Sequence, residues 1–182
     1  MPKLDPVVVI MGTILEKLRA NFVDHEVEPL GGYTSQPQHR GGLLVALDGF
    51  GDDGRDTNGQ CNTLLWAQVL RIYRARTFPM EELVGTPCGG IKVVQVQVGL
   101  ARCAALPDEN GNPPDPADLE REALVLLDDA RRLELSLCQA AKAIGPTGRD
   151  VSGQIVIGAW EPVGPEGGVV SGVMTANFQL GG

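Results

Sequence analysis

Histidine, a frequent metal ligand and general base, is scarce in this chain. The chain has two histidines, His25 and His39, and neither is followed three or four residues later by a second histidine or a cysteine. Zinc sites commonly repeat their ligands at such short spacings. We therefore expect no zinc site, and we interpret both histidines as solvated loop residues.

An acidic, glycine-rich loop over residues 48–59 has the composition of a calcium loop but not its spacing. When Asn58-Gly59 is aligned with positions five and six of an EF-hand, positions one and twelve fall on Gly54 and Leu65. Both positions need acidic ligands, so the motif fails. The loop is interpreted as solvated surface. Its densest carboxylates are Asp52, Asp53 and Asp56.

Motifs for nucleotides and nucleophiles are also missing from the sequence. No Gly-x-x-x-x-Gly-Lys-Ser/Thr occurs, and no G-x-G-x-x-G lies between a predicted strand and a predicted helix. The Gly167-Gly168 pair follows a proline and precedes a strand, which favours a turn. The paired carboxylates Asp128-Asp129 are expected on the exposed, solvated face of a helix. Three serines lack the context of a nucleophile elbow: Ser136, Ser152 and Ser171. The sequence therefore predicts no catalytic residue, no metal ligand and no cofactor.

The four cysteines, Cys61, Cys88, Cys103 and Cys138, lie far apart and form no C-x-x-C pair. Unpaired cysteines are among the most buried residue types. We expect free, mostly buried thiols in a protein made in the cytoplasm, and no disulfide between any pair. Cys138 falls beside the apolar stripe of a predicted helix, which favours packing over a catalytic thiol.

Length, charge and hydropathy narrow the class of protein. The 182 residues fit one domain, residues 1–182. The formal net charge of −8 disfavours binding of nucleic-acid phosphates through the overall field, although Arg71, Arg74 and Arg76 form a local basic cluster. No apolar run approaches the roughly 20 residues that span a bilayer, so no membrane partner is expected.

Two helices are predicted from their caps and apolar spacing. The first begins with Asp5 as N-cap and Pro6 at the first helical position, and the second begins in the same way with Asp115 and Pro116. Gly145-Pro146 ends the second helix. The predicted apolar stripe of the first helix is Val8, Met11, Leu15, Leu18 and Phe22. That of the second is Leu119, Ala123, Leu126, Ala130, Leu133, Leu137 and Ala141.

Five segments have the patterns of strands, and their order indicates the fold class. They cover residues 43–47, 64–76, 91–103, 155–160 and 169–180. Apolar residues alternate with polar ones in the third and fifth segments, as in half-buried strands. The order α-β-β-β-α-β-β predicts an α+β fold, in which two helices flank a mostly antiparallel sheet on one side. Six side chains are predicted to be buried: Trp66, Val96, Val98, Leu126, Leu133 and Phe178.

A series of segments resembles the tail terminator proteins of long-tailed phages, particularly those of high-GC Gram-positive hosts. The early segments are Leu65-Trp66-Ala67-Gln68-Val69, Arg71-Ile72-Tyr73, Phe78-Pro79, Cys88-Gly89 and Val98-Gly99-Leu100-Ala101-Arg102-Cys103-Ala104. The late segments are Pro107-Asp108-Glu109-Asn110-Gly111-Asn112-Pro113-Pro114, Asp128-Asp129-Ala130, Trp160-Glu161-Pro162 and Gly164-Pro165-Glu166-Gly167-Gly168. The resemblance spans about residues 60–180 and depends on the order of these segments.

The resemblance implies a structural virion protein and no enzyme. Terminators form a homohexameric ring that caps the tail tube, ends its polymerisation and joins the tail to the head–neck complex. The implied partners are other copies of the chain, the tail tube protein and the head–neck stopper protein. DNA would pass through the ring without specific binding, and the protein would be found in the neck of the virion after assembly in the host cytoplasm.

Three loops are candidates for contacts within such a ring. Loops 32–42 and 81–90 are longer than minimal connections and are expected to reach a neighbouring copy or the tube. The acidic loop, with Asp52, Asp53 and Asp56, is a candidate lining of the lumen. Val169-Val170 stands where this group often carries a cysteine. Another neck protein, such as a stopper or head-completion protein, therefore remains an alternative, as does an unrelated small binding or enzymatic domain.

Overall fold

Two helices and five strands make up the described part of the chain, in the order α-β-β-β-α-β-β. A computed structural model describes residues 5–41, 63–82, 85, 89–145, 151–166 and 168–181. The elements are α1 (Pro6–Phe22), β1 (Gln38–Arg40), β2 (Leu64–Ala75), β3 (Ile91–Cys103), α2 (Pro116–Ile144), β4 (Val151–Glu166) and β5 (Val169–Leu180). The predicted α+β fold is confirmed.

The five strands form a single sheet in the order β1-β2-β3-β5-β4. All neighbours are antiparallel except β1 and β2, which are parallel. The central strand is β3, where Val96 pairs with Val69 on one side and with Ala176 on the other. The sheet is therefore mostly antiparallel, as the alternation of apolar and polar residues predicted.

Strand β1 was not expected at its position. It lies within residues 32–42, which were predicted to be a polar loop, and it pairs with Trp66–Gln68 of β2. Its sequence, Gln-His-Arg, has no apolar alternation from which a strand could be recognised. The predicted strand at residues 43–47 lies outside the described residues.

Both helices begin where their caps predicted. The Asp5 side chain accepts a hydrogen bond from the Val7 amide, and the Asp115 side chain accepts one from the Ala117 amide, each at 2.8 Å. A proline follows each cap. Because α2 has 29 residues, it is about 44 Å long at 1.5 Å per residue. Its buried positions lie between Val125 and Ile144, so its C-terminal two thirds pack against the rest of the fold.

The main core lies between the two helices and one face of the sheet. The alternate residues Val94, Val96 and Val98 of β3 face the helices, as do Ala176 and Phe178 of β5. A second, smaller cluster lies on the other face and contains Leu64, Trp66, Ala101 and Val169. Five of the six residues that were predicted to be buried are so: Trp66, Val96, Val98, Leu133 and Phe178.

The predicted faces of both helices were partly wrong. Val8 of α1 is exposed and Leu15 is half-buried, whereas Ile10 and Ile14 are fully buried. On α2 the predicted stripe drifts away from the core toward the N-terminus of the helix. Leu119 and Ala123 are exposed there, Leu126 is half-buried, and the fully buried positions are Val125, Asp129, Arg132, Leu133, Ser136, Leu137, Ala140 and Ile144. Polar side chains occupy three of these positions, so the apolar pattern alone indicated the wrong face.

The corrected face of α2 predicts different effects for two leucines on one helix. Leu133→Ala is expected to lower the free energy of unfolding by about 2–5 kcal/mol, because it leaves a cavity in the core. Leu126→Ala, the matched control, removes the same atoms from a half-buried site and is expected to cost clearly less. Urea denaturation of both variants tests this, and equal losses would contradict the assigned face.

The expectation of free cysteines is wrong for Cys103, which is disulfide-bonded. Its partner lies outside the described residues. Cys138 is a free, half-buried thiol on α2. In the described residues, no helix is long and apolar enough to cross a membrane.

Candidate functional site

A buried ion pair connects the end of β3 to the middle of α2. Arg102 Nε donates to Asp129 Oδ2 at 2.7 Å, and Arg102 Nη2 donates to Asp129 Oδ1 at 2.9 Å. The side chains of Arg102 and Asp129 are only 7% and 5% exposed. Arg102 Nη1 also donates to the Gly31 carbonyl at 3.1 Å. This two-point contact fixes both the distance and the orientation of strand and helix.

A second arginine of α2, Arg132, binds the segment that follows α1. Its Nη1 donates to the Asn21 carbonyl at 2.8 Å, and its Nη2 donates to the carbonyls of Val27 and Glu28 at 3.2 and 3.3 Å. Its Nε donates to Asp128 Oδ2 at 2.8 Å. The guanidinium supplies five N–H groups in one plane, which suits it to several acceptors at once.

Asp128 also binds the segment that follows α1, as a hydrogen-bond acceptor. Its Oδ2 accepts a hydrogen bond from the Leu30 amide at 3.0 Å. Residues 21–31 are therefore held by Arg132 and Asp128 of α2 and by Arg102 of β3, and Asp129 fixes the position of Arg102. The expectation that Asp128-Asp129 is a solvated pair is wrong, because Asp129 is 3% exposed and both carboxylates have arginine partners. Their role required the fold, since the partners Arg102 and Leu30 are far away in sequence.

The two aspartates respond differently to this environment. Burial raises the pKa of Asp129 above its ordinary value, and the Arg102 guanidinium offsets only part of that effect. Burial also acts to raise the pKa of Asp128, but hydrogen bonds from the Leu30 amide and from Arg132, with the Arg132 charge, outweigh it and lower that pKa. Asp128 is therefore the carboxylate whose ionisation supports the folded state.

This difference predicts how stability depends on pH. A carboxylate whose pKa is lowered by folding stabilises the protein above its ordinary value, here 3.8, and loses that contribution as the pH falls further. Asp128→Asn is expected to be less stable than the wild type at pH 7, with a shallower loss of stability below about pH 4. Urea denaturation across this pH range measures it. Asp129 is present in both proteins, so its contribution cancels, and parallel curves would contradict the role of Asp128.

Of the histidines and serines, His25, Ser136 and Ser171 form structural contacts, and His39 is exposed. His25 is half-buried, its Nδ1 accepts from the Val27 amide at 2.7 Å, and its Nε2 lies 2.8 Å from Arg132 Nη1. It is not the solvated loop residue that was expected, and His39 lies in β1 and not in a loop. Ser136 is buried and donates to the Arg132 carbonyl at 2.7 Å. Among the described residues, no group of three potential metal-ligating side chains is close enough to hold a metal.

An open cleft of about 1140 Å³ lies between the N-terminal half of α2 and the segment that follows β3. The Ala105 amide donates to Glu122 Oε2 at 2.7 Å and holds that segment to the helix. Apolar wall residues include Ala104, Leu106, Pro107, Pro114 and Leu126. The charged residues at the rim are Asp108, Glu109, Asp118 and Glu122, with Arg121 opposite in sign. Arg102 at the base is neutralised by Asp129. We name this the acidic cleft.

Large apolar side chains are exposed on the outer surface of α2 and on the bound segment. Leu119, Leu124, Leu127 and Leu135 of α2 are 42–61% exposed. Val27 and Leu30 of residues 21–31, and Tyr33 just after them, are 53–76% exposed. Leu124 and Leu127 are three residues apart and so are neighbours on the helix surface, and contiguous exposed apolar groups are typical of surfaces that meet another molecule.

The residues predicted to act in a ring fall in different places. Asp52, Asp53 and Asp56 lie outside the described residues, as does part of loop 81–90. Loop 32–42 is described up to residue 41 and follows β2 instead of standing away from the sheet. The Ser35 amide donates to Thr63 Oγ1 at 2.6 Å. The basic cluster of Arg71, Arg74 and Arg76 lies at the far end of β2 from the acidic cleft.

Comparison with known proteins adds no assignment. No protein-family model matches the chain. No curated protein matches its sequence.

Proposed function

We propose that the protein is a tail terminator of a long-tailed phage. In this role it forms a homohexameric ring in the neck of the virion, caps the tail tube and ends its polymerisation. It then joins the tail to the stopper protein of the head–neck complex, and DNA passes through the ring without specific binding. The protein acts as a structural component and not as an enzyme.

The buried pair of Arg102 and Asp129 is the observation that carries this proposal. Two of the segments that resemble the terminators are residues 98–104 and 128–130, and they lie far apart in sequence. In the fold their arginine and aspartate meet in a two-point contact. A buried charge needs its partner, so these two segments form one structural unit. This supports treating the series of segments as a single pattern instead of a set of chance matches.

The architecture and the surface are consistent with the same role. The resemblance implies a sheet with two flanking helices, and the chain has that fold. The exposed leucines of α2 would be covered in an assembly, which is the state in which a terminator works.

A binding domain is the second candidate, and the acidic cleft favours it. Its volume of about 1140 Å³ is at or above the range usual for ligand pockets. However, it is open and lined by charges at its rim, as is usual for a surface that receives part of another macromolecule. A surface that receives part of another macromolecule would serve equally in a neck protein other than a terminator.

Tube assembly in vitro tests the proposal. The purified protein would be added to polymerising tail tube protein from the same genome, and tubes would be imaged by negative stain. We expect shorter tubes with a ring at one end, and a tube length that falls as the ratio of the two proteins rises. Arg102→Ala, which breaks the buried pair, is expected to lose capping. Tubes of unchanged length without rings, at several-fold excess of wild-type protein, would overturn the terminator role.

A further inference from the structure

The β2–β3 hairpin carries a concentration of positive charge at its closed end. Four basic side chains lie there, Arg71, Arg74, Arg76 and Lys92, against two acidic ones, Glu81 and Glu82. The net charge of this end is therefore about +2, within a chain whose formal net charge is −8. Arg71 forms an ion pair with Glu81. Arg76 is exposed. We name this end of the hairpin the basic tip.

The basic tip has a defined shape. The Tyr73 hydroxyl donates to the Pro79 carbonyl at 2.5 Å, and the Met80 amide donates to the Thr77 carbonyl at 2.9 Å. These bonds fold residues 77–80 back against β2 and place Met80 on the surface, where it is 61% exposed. Methionine is flexible and polarizable, and it is common at protein-binding surfaces. Met80, like Ile72 of β2, is therefore an exposed apolar side chain near the basic groups of the tip.

The acidic cleft has the opposite charge and also has apolar surface. Its walls are apolar, and its rim holds four acidic side chains against Arg121, a net charge of about −3 once Arg102 and Asp129 cancel. Charge complementarity across an interface orients the partners and excludes surfaces of like charge. The cleft is therefore suited to bind an apolar side chain that is surrounded by positive charge.

The two surfaces cannot meet within one molecule, because they lie at opposite ends of the sheet. Leu64 pairs with Ala101 beside the acidic cleft, whereas Ala75 pairs with Ile91 beside the basic tip. Strand β2 spans 12 residues between these ends, or roughly 40 Å at 3.3 Å per residue. A contact between the basic tip and the acidic cleft therefore needs two copies of the chain.

We propose that the basic tip of one copy docks in the acidic cleft of the next, with Met80 against the apolar walls and Arg76 at the acidic rim. The contact joins two different surfaces, so an open row of copies has a free tip at one end and a free cleft at the other until it closes into a ring. This inference deepens the proposed function, because it rests on the ring and assigns the surfaces that close it.

Site-specific crosslinking of the full-length protein tests the contact directly. A photoreactive benzoylphenylalanine replaces Met80, and crosslinked peptides are mapped by mass spectrometry. We expect covalent oligomers whose crosslinks fall in residues 104–126 of a second copy. The same probe at Leu135, on the outer face of α2, is the control and should not reach those residues. Crosslinks elsewhere on a second copy, or none at all, would overturn the proposal. So would crosslinks to duplex DNA added to the sample, which would assign the tip to nucleic acid.

Charge reversal provides an independent measurement. Arg76→Glu at the tip and Glu109→Lys at the cleft are each expected to weaken self-association about tenfold in sedimentation velocity. A mixture of the two variants should form dimers through the one intact tip and one intact cleft, without closed rings. The double variant should recover association in part. Lys142→Glu changes an exposed charge near the end of α2 and should leave it unchanged. Equal weakening by the control and the two variants would show a general effect of charge and reject the contact.

Failure of this inference can be told apart from failure of the proposed function. If rings cap tubes but crosslinks from position 80 map outside the cleft, the terminator role stands and the docking model is wrong. If the wild type neither self-associates nor caps tubes, both are wrong. If crosslinks map to the cleft but tubes are not capped, the docking contact stands and the terminator role fails.

Discussion

Arg102→Ala is expected to lower the free energy of unfolding by about 3–5 kcal/mol, because it leaves the Asp129 carboxylate buried without its partner. The environment of Asp129 already raises its pKa through burial, so the ionised form depends on the two hydrogen bonds from Arg102. The variant also removes the donor to the Gly31 carbonyl. Urea denaturation at pH 7 measures the loss.

A double variant separates the free-energy cost of an unpaired buried charge from the net contribution of the ion pair to stability. Arg102→Met with Asp129→Leu removes both charges and keeps similar volume, so its stability is expected near that of the wild type. Arg131→Ala, on the exposed face of the same helix, is the control and should change stability by less than about 0.5 kcal/mol. A loss below about 1 kcal/mol in Arg102→Ala would contradict the importance of the pair.

Phe178→Ala is expected to cost about 3–5 kcal/mol through a cavity in the main core. Phe178 is fully buried on β5, in register with Val94 of β3 and Ile155 of β4. Its ring therefore lies in the main core beside β3 and β4, and its removal leaves a cavity there. Thermal and urea denaturation give the two independent measurements.

Two further variants, one conservative at position 178 and one at the next residue, set limits on this loss of stability. Phe178→Leu keeps most of the apolar volume and is expected to lose less than the alanine variant. Gln179→Ala changes the next residue, which points to the opposite face of the sheet, and is expected to cost less than Phe178→Ala. Similar losses at positions 178 and 179 would contradict the register assigned to β5.

Local signals in the sequence predicted much of this fold. The Asp-Pro pairs located the starts of both helices, and the alternation of valine with glutamine in β3 identified a half-buried strand. Each signal depends on residues a few positions apart, which sequence reasoning can compare directly. The caps and the central strands were therefore predicted where they are observed.

Features that depend on distant partners were missed. Asp129 is buried because Arg102 reaches it from another element, and a paired aspartate in a helix otherwise resembles solvated surface. Three buried positions of α2 hold polar residues, so the apolar pattern indicated the wrong face of the helix. β1 has no pattern of its own and exists through its pairing with β2. The acidic cleft needed the packing of two segments, so no motif could have indicated it.

The contact between Arg132 and the Asn21 carbonyl has a consequence for the folding of α1. The last carbonyls of a helix have no partners within the helix, and a positive charge near them interacts favourably with the helix dipole. Arg132 supplies both from a position 111 residues away. The Asn21 carbonyl at the end of α1 therefore gains this partner only when α2 is in place, which couples the stability of the two helices.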